Sequence, residues 1–173
     1  MSARIQLSLY VPEPHRRAIN VVRSKLDARQ HALIPAHVTA CREDEVPDWS
    51  LVSRRLQALR RVRVTLEFAE PVELPGGGVI LPVSDGTDEF DALRRYVLGG
   101  FDGPVRIHRP HITLLHPRHA AGSGHVLGEV RSVTFPARIV FEQASIIEQI
   151  DGGPWRQLET YPRPQDVSGR GHR

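Results

Sequence analysis

Apolar and polar residues alternate over residues 4–11, from Arg4 through Leu7 and Leu9 to Val11. This predicts a first strand with one buried face, because successive side chains of an extended chain point to opposite sides. Pro12-Glu13-Pro14 follows, with proline near the first helical position. Ala18, Ile19, Val22 and Leu26 then recur at helical spacing, so a helix is predicted to about Gln30. A short strand-like stretch carries His37. Asp48 is placed to cap a second helix in which Trp49, Val52, Leu56 and Leu59 recur at intervals of three and four. Residues 62–68 alternate strictly and predict a half-buried strand.

Pro75-Gly76-Gly77-Gly78 then breaks the chain near its middle, and a similar order of elements begins again. Residues 79–83 read as a strand. Thr87 is a plausible cap for a helix using Phe90, Leu93, Tyr96 and Val97, and Gly99-Gly100 ends it. A loop leads to Pro110 and a strand carrying His111. After Pro117 and a turn at Gly122-Ser123-Gly124 come a weak helix at 126–130 and strands at 133–142, 145–150 and 155–161. Asp151-Gly152-Gly153-Pro154 joins the last two strands. From Pro162 to Arg173 the chain is polar and contains proline and glycine, which predicts a flexible tail.

Both halves thus run strand, helix, strand, helix, strand. His37 lies 33 residues after Arg4, and His111 lies 33 residues after Gly78. An internal duplication with its midpoint near residues 76–78 accounts for this, since a repeated unit puts equivalent residues at equivalent strand positions. The expectation is an α+β fold over residues 1–161. It forms a single domain of two pseudo-symmetric lobes of antiparallel sheet, with helices packed outside and a cleft between the lobes.

The composition is that of an ordinary globular protein, with 40% hydrophobic and 25% charged residues in 173. No apolar run approaches the roughly 20 residues of a membrane-spanning helix. The N-terminus alternates where a secretory leader would carry an apolar block, so a cytoplasmic, monomeric protein with no membrane partner is expected. The single cysteine, Cys41, agrees with a reducing compartment. Net charge is +3, and every lysine or arginine except Lys25 is arginine, a residue suited to phosphate. No dense basic run appears, so these arginines read first as a solvated face.

Two segments concentrate the chemistry. His37-Val38-Thr39 and His111-Ile112-Thr113 write the same His-x-Thr triplet twice in strand-like context. Residues i and i+2 of a strand share a face, so each triplet presents an imidazole beside a hydroxyl, with a β-branched residue turned to the opposite face. With a pKa of about 6.5, one imidazole can accept a proton while its partner donates one. The threonine hydroxyls can donate to phosphate oxygens without adding a competing base.

Pro35-Ala36-His37-Val38-Thr39-Ala40 and Pro110-His111-Ile112-Thr113-Leu114-Leu115 resemble the twin His-x-Thr/Ser signatures of the 2H phosphoesterase superfamily, which includes 2′-5′ RNA ligase-like proteins and cyclic phosphodiesterases. The likeness runs over residues 3–161. Ala40 stands where a larger aliphatic residue is common. His116 stands where an arginine often follows the second motif, and Arg118 comes two residues later. The resemblance implies phosphodiester cleavage without metal or other cofactor, most typically of a 2′,3′-cyclic phosphate at an RNA end. It makes His37 the proton donor and His111 the acceptor in ring opening, with Thr39 and Thr113 on the phosphate. Arg118 is a candidate phosphate contact and Tyr10 a candidate for stacking on a base.

Other chemistries remain open at this stage. His108, His111, His116 and His119 space as H-x₂-H-x₄-H-x₂-H, which could hold zinc, although no cysteine or acidic ligand accompanies them and a strand would send alternate members to opposite faces. A non-catalytic RNA- or nucleotide-binding module of the same fold is a second alternative. RNA 2′-5′ ligation is a third, and with no nucleotidyl-transfer lysine motif it would have to reverse the phosphodiester chemistry.

Overall fold

The computed structural model describes residues 2–120 and 126–162. The turn expected at Gly122-Ser123-Gly124 lies outside the described residues, as does the expected tail from residue 163 onward. The elements run β1 (Ala3–Tyr10), α1 (His15–Leu26), α2 (Ala28–Leu33), β2 (His37–Cys41), α3 (Trp49–Ala58), β3 (Val64–Phe68), β4 (Val72–Glu73), β5 (Val79–Asp85), α4 (Thr87–Leu98), β6 (His111–Leu115), α5 (Val126–Arg131), β7 (Arg138–Phe141), β8 (Ala144–Ile150) and β9 (Arg156–Tyr161). A single 3-10 turn, Pro117–His119, follows β6.

Local chemistry sets most boundaries. Asp48 caps α3 as expected, its carboxylate accepting the backbone N–H groups of Ser50 and Leu51. The helix predicted to Gln30 is two helices, because Asp27 leaves the helical region (φ −146°) and its carboxylate accepts from Gln30 N, starting α2. Gly86, not Thr87, precedes α4. Its φ of +82° is one that L side chains rarely adopt, and a Cβ there would sit 2.6 Å from the Thr65 carbonyl oxygen. Tyr96, expected on the buried face of α4, is 42% exposed and donates to the Arg55 carbonyl. The strand expected over 133–142 shortens to β7, since Ser132 and Val133 bond back to Glu129 and Val130 and extend the end of α5.

All neighbouring strands pair antiparallel, in the order β7-β3-β5-β6-β2-β1-β8-β9, with β4 pairing β5. The two lobes are therefore β2-β1-β8-β9 and β6-β5-β3-β7, joined through β2 and β6 into one hydrogen-bonded path. The lobes are not the two halves of the chain. β3, from the first half, pairs with β5 and β7, while β8 and β9, from the second half, extend β1. The glycine break is the turn of the β4–β5 hairpin, closed by Leu74 N to Gly78 O (2.7 Å) and Gly77 N to Leu74 O (2.9 Å).

The helices cross in the same sense. α1 lies against β6, and α4 lies against β3 and β2. One buried cluster runs from Leu7 and Leu9 of β1 through Val38, Ile112 and Leu81 to Leu66 and Ile139, with Ile19 and Phe90 contributed by the helices. Burying a leucine, isoleucine or phenylalanine contributes about 1.5–3 kcal/mol, so this shared face holds the lobes together. Among the described residues no helix is long and apolar enough to cross a membrane.

Candidate active site

β2 and β6 have the same pattern of exposure, with residues 37, 39, 111 and 113 half-buried and residues 38, 40, 112 and 114 buried. The reason is the period of two: Val38, Ala40, Ile112 and Leu114 enter the core, leaving the histidines and threonines on the other face. Val38 pairs with Ile112 across the antiparallel join. That register sets His37 beside Thr113 and Thr39 beside His111, so the four side chains alternate imidazole and hydroxyl across two adjacent strands.

Each imidazole is held in the same way. His37 Nδ1 lies 2.9 Å from the Pro35 carbonyl oxygen, and His111 Nδ1 lies 3.0 Å from that of Arg109. A carbonyl only accepts, so in both rings Nδ1 carries the proton and Nε2 is left for chemistry. Burial pushes the His37 pKa down to about 4, aided by the charges of Arg23 and His111 and opposed by the Pro35 carbonyl. Thr39 donates to the Gln6 side-chain oxygen at 3.3 Å.

The four residues line a cleft of about 450 Å³. Arg4, Arg23, Arg29, Arg42 and Arg118 also line it, and among the described residues no aspartate or glutamate does. Arg23 is the least expected of these. Its side chain is 1% exposed on the inward face of α1, four residues after Ile19. Its Nε donates to the Thr113 carbonyl (3.0 Å), and its Nη1 donates to the Ile34 carbonyl (2.9 Å) and to Asn20 Oδ1 (3.2 Å). Burial lowers its pKa to about 10, against the pull of Asp27.

Arg94 on α4 is its counterpart in the other half. It is equally buried and donates to the Ala40 and Arg106 carbonyls, but a 2.7 Å ion pair with Glu45 neutralises it. Among the described residues Arg23 hydrogen-bonds only neutral acceptors, with Asp27 acting on it from a distance, and it lines the cleft. A buried arginine on neutral acceptors beside an open cavity is suited to an anion.

Of the other candidates, Arg118 lines the cleft and Tyr10 does not. Tyr10 meets the His37 ring edge-on at 6.3 Å but lines a separate depression with Pro12, Arg16 and Arg60. The four-histidine string is divided into two pairs, His108 with His111 (ring centroids 6.5 Å apart) and His116 with His119 (5.7 Å). Among the described residues, no group of three or more histidine, cysteine, aspartate or glutamate side chains is arranged to hold a metal ion. The residues that could hold an anionic cofactor or substrate are the cleft arginines.

The architecture matches solved structures closely in extent. A crystal structure of E. coli LigT complexed with 3′-AMP superposes with a TM-score of 0.61 at 19% sequence identity, covering 93% of this chain and 98% of that one. The fold is that of LigT. E. coli LigT complexed with phosphate gives a TM-score of 0.58 at 16% identity over 91% of this chain and 95% of that one. A structure described as a phosphoesterase gives 0.53 at 16% identity over 92% and 98%. No protein-family model matches the chain, and no curated protein matches it significantly.

Within this LigT-like fold, reading the sequence alone did not find Arg23, Arg4, Arg29, Arg42 or Trp155 as members of the cleft. Arg23 had one signal, a charge on the apolar stripe of an amphipathic helix. The others are exposed or half-buried residues with no periodic signature, brought to the cleft only by the strand order.

Proposed function

We propose that the protein is a 2H phosphoesterase that opens a 2′,3′-cyclic phosphate on an RNA end or a related nucleotide by two-histidine acid–base catalysis without a metal. The observation that carries this reading is the matched pair of imidazoles. Each has Nδ1 tied to a carbonyl two residues upstream and each stands beside a threonine hydroxyl, in one arginine-lined cleft.

The phosphate sits between the two strands, its non-bridging oxygens accepting from Thr39 and Thr113, with Arg23 behind Thr113 offsetting its charge. Water attacks phosphorus in line with the leaving ribose oxygen. One Nε2 takes the proton of the attacking water, and the other gives its proton to the ribose oxygen as the P–O bond breaks. The downward shift of His37 supports it as the acceptor in the free protein, because an imidazole that titrates near 4 is neutral at pH 7. That leaves donation to His111 and reverses the roles implied by the resemblance. The product is a nucleotide monoester, and both rings return to their starting state by exchange with solvent.

The test is incubation of chelator-treated protein with a nucleoside 2′,3′-cyclic phosphate, comparing wild type with His37→Ala and His111→Ala. General acid–base groups contribute about 10²–10⁴-fold each, so either substitution is expected to reduce turnover by at least a hundredfold. Tight binding with no product from the wild type would overturn the enzymatic reading in favour of a binding module.

A further inference from the structure

The second histidine pair is not used by the twin-motif chemistry, and it faces the same cleft. Where β6 ends and the chain enters the 3-10 turn, Asp27 reaches in from the α1–α2 junction, its side chain 2% exposed. One oxygen accepts from Gln30 N (2.9 Å) and from His119 Nδ1 (2.7 Å), and the other accepts from His116 N (2.9 Å). Burial opposes the Asp27 charge, but the His116 and Gln30 N–H bonds and His119 outweigh it and hold the carboxyl below its usual range.

The contrast with His37 and His111 is chemical. His37 and His111 are each oriented by a backbone carbonyl, whereas His119 is oriented by a carboxylate at 2.7 Å. Asp27 thus fixes the His119 ring through Nδ1, leaving Nε2 free of that bond on a side chain that lines the cleft. Arg118 and Arg29 line the cleft beside it, and among the described residues neither side chain has an acidic partner. Thr113, Arg118 and His119 all line the one cleft of about 450 Å³, so a single ligand can meet all three.

We infer that His119, positioned by Asp27 and flanked by Arg118 and Arg29, forms a second phosphoryl subsite, so that the ligand of the cleft is a nucleotide bearing a second phosphate on the 5′ side of the reacting one. This rests on the reading of the twin motifs as the site of the 3′-terminal phosphate. The second phosphoryl group can be the internal diester of an RNA strand or a terminal 5′-monoester.

Calorimetry with product-like ligands separates these possibilities without requiring turnover. Wild-type protein is expected to bind adenosine 3′,5′-bisphosphate about tenfold more tightly than adenosine 3′-monophosphate, the effect of one charge-assisted contact. That ratio falls to about one in His119→Gln and returns in His119→Arg, which places a cation beside Asp27. A 3′-phosphorylated adenylyl dinucleotide that matches the bisphosphate identifies an RNA strand as the source, and one that matches the monophosphate identifies the terminal monoester. A wild-type ratio of about one, or a ratio unchanged by His119→Gln, overturns the subsite. Failure to turn over any cyclic phosphate while the ratio persists overturns the hydrolytic reading and leaves the subsite standing.

Discussion

Replacing Arg23 by methionine tests whether a buried cation serves the cleft or only the fold. The change removes donors from two backbone carbonyls, those of Thr113 and Ile34. Leaving a buried acceptor unsatisfied costs about 1–3 kcal/mol each, so roughly 2–6 kcal/mol is lost. Against this, the charge is no longer held away from water. A pKa lowered from 12.5 to about 10 is a shift of about 2.5, which at about 1.36 kcal/mol per unit corresponds to ~3 kcal/mol of opposing cost that disappears. The net destabilisation is therefore about −1 to 3 kcal/mol, centred near 1 kcal/mol, measurable by urea unfolding and small enough to leave the protein folded.

Phosphate affinity should respond more strongly. A hydrogen bond to a charged group contributes about 1.5–3 kcal/mol, so adenosine 3′-monophosphate should bind about 10–100-fold more weakly in calorimetry. Arg94→Met is the comparison. It strands Glu45 without its partner and should cost about 3–5 kcal/mol of stability, while affinity for the nucleotide stays within about twofold because Arg94 does not line the cleft. The reasoning about Arg23 fails if Arg23→Met binds the nucleotide as wild type does, or if it is destabilised as much as Arg94→Met.

Three further outcomes are expected. Because His37 titrates near 4 in the folded chain and near 6.5 when unfolded, the unfolded state binds more protons between those values. Stability should thus fall as pH drops through that window, and His37→Gln should flatten the dependence seen in denaturant midpoints. With His37 as acceptor, kcat/KM for a cyclic phosphate should rise with pH on an acidic limb near 4, whereas an acidic limb absent down to pH 3 would contradict that role. Gly78→Ala places a Cβ 2.6 Å from Pro117 Cγ and 3.0 Å from Pro117 N, so overpacking of about 1–3 kcal/mol should lower the melting temperature by roughly 2–10 °C. It should also displace the turn that carries His119, read as a lower preference for the bisphosphate.

Much of this molecule could be read in one dimension because the relevant forces act over a few residues. The period of two in β2, β3 and β6, the Asp48 cap and the Asp151-Gly152 turn, with both residues at positive φ, are local consequences of chain geometry, whereas β1, expected to bury one face, is buried on both over residues 6–9. So is the alternation that turns His37, Thr39, His111 and Thr113 away from the core. Where the local signal misled, a neighbour distant in sequence or a single backbone angle decided. Asp27 divides one predicted helix into two while bonding residues some ninety positions away, and Gly86 takes the cap expected of Thr87 because the Thr65 carbonyl closes in on it.

By itself, then, the amino-acid order determined most of the elements, the face most of them show to the core, and two imidazoles each paired with a hydroxyl. Tertiary structure alone decided that β2 and β6 are hydrogen-bonded neighbours, that β3 and β8 change lobes, and that Arg23 from one half sits under Thr113 of the other. The same holds for the low pKa of His37 and the Asp27–His119 pair, 92 residues apart. The division has a physical cause. Periodicity and capping depend on bonds between near neighbours, whereas desolvation and charge pairing depend on which surfaces meet, and that follows from the packing of the whole chain.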